Sequence, residues 1–389
     1  MIDCDLPLLN IRGHKLLPVV QGGMGVGISA HRLAGSVARE GAVGTIASVE
    51  LRRLHHDLMQ KNYKCRDHEV LMKDNLIALD REIRLAREIA GPQGFIAVNV
   101  MKAVKHDKEL VLQACKSGAN AIVMGAGLPL DLPDLIEGYD DVALMPILSE
   151  IRGIRAVLKK WQRRGRLPDA IIIEHPKYAG GHLGSPRIED ISDSKYDFLT
   201  VMEETLLLFE KMGIEKDSVP LIAAGGIHSK EQIQKLMNAG YAGVQIGTPF
   251  AVTIEGDAHI NFKQVLIQAK PEDIVTFISA AGLPARAVLT PWLERYMKRE
   301  KKLRSRADSR KSKCSRNLEC LKHCGLKDGN PDAGQFCIET QLAAAQRGDV
   351  KRGLFFRGTE SLPFGEQIRS VHELLEWLVG NNQLAVATA

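Results

Sequence analysis

The chain has little of what marks several function classes. Aromatic residues make up only 5% of its 389 positions, and only three are Trp. No apolar run approaches the roughly 18 residues that a membrane-crossing helix needs. The opening stretch, MIDCDLPLLNIRGHK, has no basic segment followed by an apolar one, so no secretory leader is expected and the cytoplasm is the expected compartment. Three catalytic signatures are also missing: G-x-x-x-x-G-K-[ST], H-E-x-x-H and G-x-S-x-G. Their absence moves phosphoryl-transfer enzymes and hydrolases down the order. The run Gly22-Gly23-Met24-Gly25-Val26-Gly27 imitates a dinucleotide loop but lacks its spacing.

What is present is ordinary globular composition: 45% hydrophobic, 25% charged and 35 Gly. That excludes a disordered chain, a collagen and a small disulfide scaffold. The length accommodates one α/β barrel of about 250 residues with an appendage. The net charge of +5 is unevenly spread. Between Lys298 and Lys313 nine Lys/Arg face only Glu300 and Asp308, a local +7 that leaves about −2 for the rest. This run carries no interleaved aromatics, so a solvated helix or linker is favoured over a nucleic-acid site. Of seven Cys, Cys4, Cys65 and Cys115 are scattered, whereas Cys314, Cys320, Cys324 and Cys337 cluster.

Eight short apolar runs recur with helical stretches between them: LLPVV (16–20), AVGTIAS (42–48), FIAVNVM (95–101), NAIVMG (120–125), VALMPIL (142–148), AIIIE (170–174), VPLIAAGG (219–226) and AGVQIG (242–247). None shows polar alternation, as expected of strands buried on both faces. Intervening helices are expected from Ser29, as N-cap, to Glu40, over Asp67 to Ala90, from Lys108 to Ser117 and from near Ser229. The pattern predicts a (β/α)8 TIM barrel over roughly residues 14–270, ahead of an open doubly wound sheet. The domain reading is a barrel over 1–290 followed by a mostly helical, Cys-containing extension over 291–389.

In such a barrel the chemistry sits at the strands' carboxyl ends. Gly225-Gly226 and Gly247-Thr248 end the last two strands, where barrels commonly bind phosphate, and glycine lets backbone amides approach an anion closely. A phosphorylated ligand is expected there. The loop after the sixth strand, His175-Pro-Lys-Tyr-Ala-Gly-Gly-His182, places His182 on a glycine-flanked turn suited to proton transfer. His175 is read as touching the same ligand.

These strand ends resemble the nitronate monooxygenases, formerly called 2-nitropropane dioxygenases, and their relatives the FMN-dependent enoyl-acyl-carrier-protein reductases. The stretches that carry the resemblance are PVVQGGMGVGIS, AVNVM, MGAGLP, AGGHLG, PLIAAGGI, AGVQIGTPF and GLPARAV, in family order from about residue 16 to 290. The resemblance implies an FMN-binding barrel. It implies Gly23 and Met24 against the isoalloxazine, Asn99 in contact with the flavin, and Gly180 and Gly181 lining it. Gly225, Gly226, Gln245, Gly247 and Thr248 would hold the phosphate and its neighbourhood, with His182 as the catalytic histidine. The implied reaction oxidises an alkyl nitronate with O2 to a carbonyl compound and nitrite. NAD(P)H-dependent reduction of an enoyl thioester is the alternative, and a non-catalytic flavin-binding protein stands behind both.

Where the family often has Gln-Gly-x-Glu before Ala-Gly-Gly-His, this chain has His175-Pro-Lys177-Tyr178, which leaves the substrate open. Lys177 and Tyr178 are either a cation and hydroxyl at the mouth of the site or solvated loop residues. Cys314, Cys320, Cys324 and Cys337 offer zinc or an iron–sulfur cluster a ligand set, although their spacing matches neither common zinc pairs nor ferredoxin runs, and free thiols are the alternative. A helix is expected from QFCIETQ, and RGDVKRGLFFRG is expected to lie across the barrel mouth as a lid. The expected partners are a small substrate with O2, or NAD(P)H with an acyl thioester. No membrane and no nucleic acid are expected, and a homodimer stays open.

Overall fold

A computed structural model describes residues 2–310, 314 and 320–381. Eight parallel strands form a closed barrel: Val19–Gln21, Val43–Ala47, Phe95–Met101, Ala121–Gly125, Ala143–Leu148, Ile171–Glu174, Leu221–Ala224 and Gly243–Ile246. Each pairs with its neighbours in chain order, and the eighth meets the first through Val244 and Val19. The (β/α)8 expectation holds and the open sheet does not. The runs lack polar alternation because both faces are covered. In the fourth strand Ala121 and Val123 join an inner cluster with Val20, Ala97, Met145 and Ile172, while Ile122 and Met124 pack outward with the helices.

A hairpin of Leu9–Ile11 and His14–Leu16 plugs the amino end of the barrel, with Leu9, Ile11 and Leu16 in the inner cluster. Leu16, read from sequence as opening the first strand, belongs to this plug. The intervening helices are His31–Arg39, His68–Ala90, Asp107–Lys116, Ile151–Gln162, Phe198–Met212 and Lys230–Asn238. Asp67 caps the longest, accepting from the Glu69 amide at 2.9 Å, and Ser229 and Gln232 form a capping box on the last. The first helix starts later than its sequence suggests. Ala30 is its cap residue, and the Asp257 carboxylate accepts from the amides of Ala30, Arg32 and Leu33. Ser29 is otherwise engaged: its Oγ accepts from the Met24 amide at 2.8 Å, which braces the first strand-end loop.

Beyond the barrel, Ile274–Ile278 and Pro284–Val288 form an antiparallel hairpin, and Gly181–His182 adds a third strand with His182 opposite Ala285. Helices Pro291–Arg304, Ile338–Gln346 and Val371–Val379 follow. Leu293, Ile338, Leu374 and Leu378 share the outer core of the barrel. A buried Arg53–Glu339 ion pair and a Lys322–Asp107 pair at 2.7 Å tie this tail to the segments that follow the second and third strands. Lys298, Arg299, Lys301 and Lys302 stand exposed on the first of these helices, and residues 311–313 of the basic run lie outside the described residues. Among the described residues no helix is long and apolar enough to cross a membrane.

Candidate active site

The carboxyl ends of the strands surround a cavity of about 290 Å³. A broader depression of about 760 Å³ lies at the amino end, bordered by Asn10, Arg12, His14 and Lys216. It borders the starts of strands rather than their carboxyl ends, so the smaller cavity is the candidate site.

Its floor is formed by Gly23, Met24 and Asn99. A Cβ on Gly23 would fall 2.3 Å from Asn99 Cβ, so the missing side chain is what lets Asn99 stand against this turn. At the far end Gly225 and Gly226 take φ of 106° and 75°, and Gly247 and Thr248 follow the end of the adjoining strand, Thr248 opening a short helix. Left-handed backbone at consecutive positions, just ahead of a capped helix, turns amides toward the cavity, a suitable cradle for a phosphate. Beside it the buried Gln245 Oε1 has no hydrogen-bond partner. A buried acceptor without a donor calls for one from a ligand, and a flavin ring carries such N–H groups. The donor set and the glycine cradle therefore fit FMN.

His182 borders the cavity from the loop after the sixth strand. Its Nε2 lies 3.0 Å from Ser279 Oγ, and its ring meets Phe356 edge-on at 5.8 Å. Burial pushes its pKa down to about 4, so the imidazole is neutral at neutral pH. Ser279, on the post-barrel hairpin, had no individual signal in the sequence. Gly180 and Gly181 also border the cavity. A Cβ on Gly180 would lie 2.5 Å from the Arg357 carbonyl carbon and 2.6 Å from the Gly358 nitrogen. The tail thus passes directly over this loop, and Leu354, Phe356, Arg357 and Gly358 form part of the wall, where RGDVKRGLFFRG was expected to lie. Gly358 N donates to Thr248 Oγ1 at 3.2 Å. Arg286 holds the loop from beneath, donating from Nη1 to the carbonyls of Pro176 and Ala179.

Three sequence readings change. His175 does not border the cavity: it is buried against Tyr178 and Phe198, with Nε2 3.4 Å from Asp197 Oδ1. Its neighbours make it a packing residue of the loop rather than a ligand contact. Lys177 is exposed, its Nζ 5.5 Å from the Tyr178 ring centroid, while Tyr178 itself reaches the cavity wall. The zinc or iron–sulfur reading of Cys314, Cys320, Cys324 and Cys337 is not supported. All four are free thiols, and among the described residues no three His, Cys, Asp or Glu side chains converge on a metal-holding position. Cys324 and Cys337 instead precede two different helices, and the Cys320 carbonyl accepts from the Lys105 amide.

The closed barrel, its glycine cradle and its orphaned acceptor fit an FMN-dependent oxidoreductase, the class to which the family match assigns the chain. The family model described as nitronate monooxygenase matches residues 10–381, and the chain belongs to that family. A curated relative from Bacillus subtilis (strain 168), named "Probable nitronate monooxygenase", is 25% identical over 295 residues, which span 71% of this chain and 78% of the relative. FabK from Thermotoga maritima superposes with a TM-score of 0.63 at 20% identity, covering 93% of this chain and 91% of that one. The nitroalkane oxidase from Streptomyces ansochromogenes gives 0.61 at 19% identity, covering 92% and 94%. At these identities the two structures establish a shared fold.

Proposed function

We propose that this enzyme oxidises alkyl nitronates with O2 to a carbonyl compound and nitrite. FMN would be held by Gly23, Met24, Asn99, Gly180, Gly181, Gly225, Gly226, Gln245, Gly247 and Thr248. The observation that carries the reading is His182, uncharged on the cavity wall and fixed by Ser279. When bound, the flavin supplies the electron transfer.

The chain supplies binding, orientation and a proton donor. Ser279 Oγ accepts from the Ala281 amide at 3.3 Å, which leaves its own proton for Nε2 of His182. The ring proton then resides on Nδ1, free to donate to a nitro oxygen. Val49, Met101, Ile147, Leu354 and Phe356 keep water from this end of the cavity.

The same apolar wall is the observation that favours a second reading, NAD(P)H-dependent reduction of an enoyl thioester. No lysine borders the cavity among the described residues, and the Arg357 guanidinium is engaged by the carbonyls of Leu266 and Gly358, so an acyl chain would lie against an apolar surface. Turnover with propionate-3-nitronate and O2 separates the two. Nitrite release and O2 uptake without any nicotinamide support the first reading, and strict dependence on NADH or NADPH supports the second.

A further inference from the structure

Glu174 ends the sixth barrel strand, and its side chain borders the cavity. Its strand neighbours are Ile173, paired with Leu148 on one flank, and Ala224, its own partner on the other. Ser149 follows Leu148 and Gly225 follows Ala224, so no ionisable side chain flanks it along the sheet. A Cβ placed on Gly184 would sit 2.3 Å from Ser149 Oγ and 3.8 Å from Glu174 Oε2, so the carboxyl lies beside the same loop that carries His182.

The other acid at the cavity is differently placed. Glu360 accepts from Thr359 Oγ1 at 3.0 Å, and its charge acts on Arg357. Among the described residues Glu174 makes no such hydrogen bond or ion pair. The titratable groups on the elements around it are His175, turned to Asp197, His182, itself neutral, and Glu150 beyond Ser149. None of them acts on the carboxyl: burial alone raises it, from 4.5 to about 7. The Glu174 carboxyl is half-buried and faces the cavity, where the apolar Ile173 beside it on the strand offers it no partner. A carboxyl that faces the cavity without a protein partner has its hydrogen-bonding capacity left for a ligand. The adjoining Gly225-Gly226 turn is where an FMN phosphate would sit, and a phosphate monoester's near-dianionic charge disfavours a second anion nearby.

We propose that Glu174 is a cofactor-contacting residue, which as an uncharged carboxylic acid donates a hydrogen bond to the flavin. The inference rests on the FMN reading of the cavity. Its consequence is that FMN and the acid's proton bind together, so ionising Glu174 weakens the cofactor's hold.

The test is the FMN dissociation constant, read by flavin fluorescence and visible absorption from about pH 5 to about pH 9, for the wild type, Glu174→Gln and Glu174→Ala. Glutamine keeps the shape and a donor but cannot ionise. Wild-type affinity should fall up to about tenfold per pH unit above about pH 7. The Gln variant should bind about as tightly as the acidic wild type and lack this step. The Ala variant should bind more weakly throughout, also without the step. Ionisation of the FMN phosphate is common to all three, so the difference between wild type and Gln isolates residue 174. Superimposable wild-type and Gln profiles, with FMN bound in both, would overturn the proposal alone. A wild-type chain that binds no FMN even at about pH 6 would overturn it together with the reading on which it rests.

Discussion

His182 Nε2 and Ser279 Oγ stand 3.0 Å apart, joining the loop after the sixth barrel strand to the hairpin beyond the barrel. That contact fixes one ring nitrogen and leaves the other for chemistry. Ser279→Ala should lower kcat about tenfold with little change in KM, whereas His182→Ala should lower it by about 10² to 10⁴. FMN should remain bound in both variants. Wild-type turnover in Ser279→Ala would remove the positioning role, and steady-state kinetics on the flavin-loaded proteins decides it.

The buried imidazole of His182 also sets a pH limit. Its pKa of about 4 in the free enzyme means that kcat/KM should fall only as the pH drops through that value. The expected profile has an acidic limb near 4 that His182→Gln abolishes. An acidic limb near the ordinary histidine value of about 6.5 would contradict the burial seen here.

Gly180 is where the tail and the catalytic loop touch. Gly180→Ala drives a methyl into the Arg357–Gly358 peptide, which is backbone and gives little. The expected cost is about 1–3 kcal/mol of stability, with weaker FMN binding because the neighbouring wall must move. Thermal melts with and without FMN measure both effects.

Glu82 lies between His31 Nδ1 at 2.7 Å and His55 Nε2 at 3.0 Å. Burial pushes its carboxyl up, but the hydrogen bonds and charge of the histidines outweigh that and hold it at about 2, while the hydrogen bond to Glu82 lifts His31 above 6.5. The carboxylate's contribution is complete above its unfolded value of 4.5 and is lost as the pH falls toward 2. The contribution of His31 is complete below 6.5 and is lost as the pH rises through its folded value. Stability from this cluster is therefore greatest between those two unfolded values. At about pH 6, Glu82→Gln should lower the unfolding free energy by about 3 kcal/mol, a difference that shrinks toward acid. Denaturant titrations across pH measure it.

The barrel was legible because each strand is a short apolar run whose two faces are both covered, and Ile171 to Ile173 show this directly. The amino-terminal plug was not, since three-residue strands such as Leu9–Ile11 are too short to show a period. Glycines at the cradle could be read from sequence because a φ near 106° at Gly225 needs that residue type. Ser279 could not be, because it meets His182 across 97 positions of chain through a hairpin that only the folded state brings over the site. His175 differs for the opposite reason: a polar residue beside this loop packs on Phe198 and faces Asp197, away from the cavity wall. Four nearby thiols suggest a metal from sequence; Cys320, Cys324 and Cys337 do lie near enough to act on one another, yet among the described residues no three ligating side chains converge on a metal-holding position.

The central claim is that this barrel holds FMN and passes electrons from a nitronate through it, with His182 at the substrate. Anaerobic mixing of the flavin-loaded protein with propionate-3-nitronate, followed at the flavin's visible band, tests it most directly. We expect rapid bleaching without nicotinamide, recovery of the yellow colour when air is admitted, and bleaching slowed by about 10² or more in His182→Ala. Bleaching by NADH or NADPH alone, with no response to the nitronate, would contradict it.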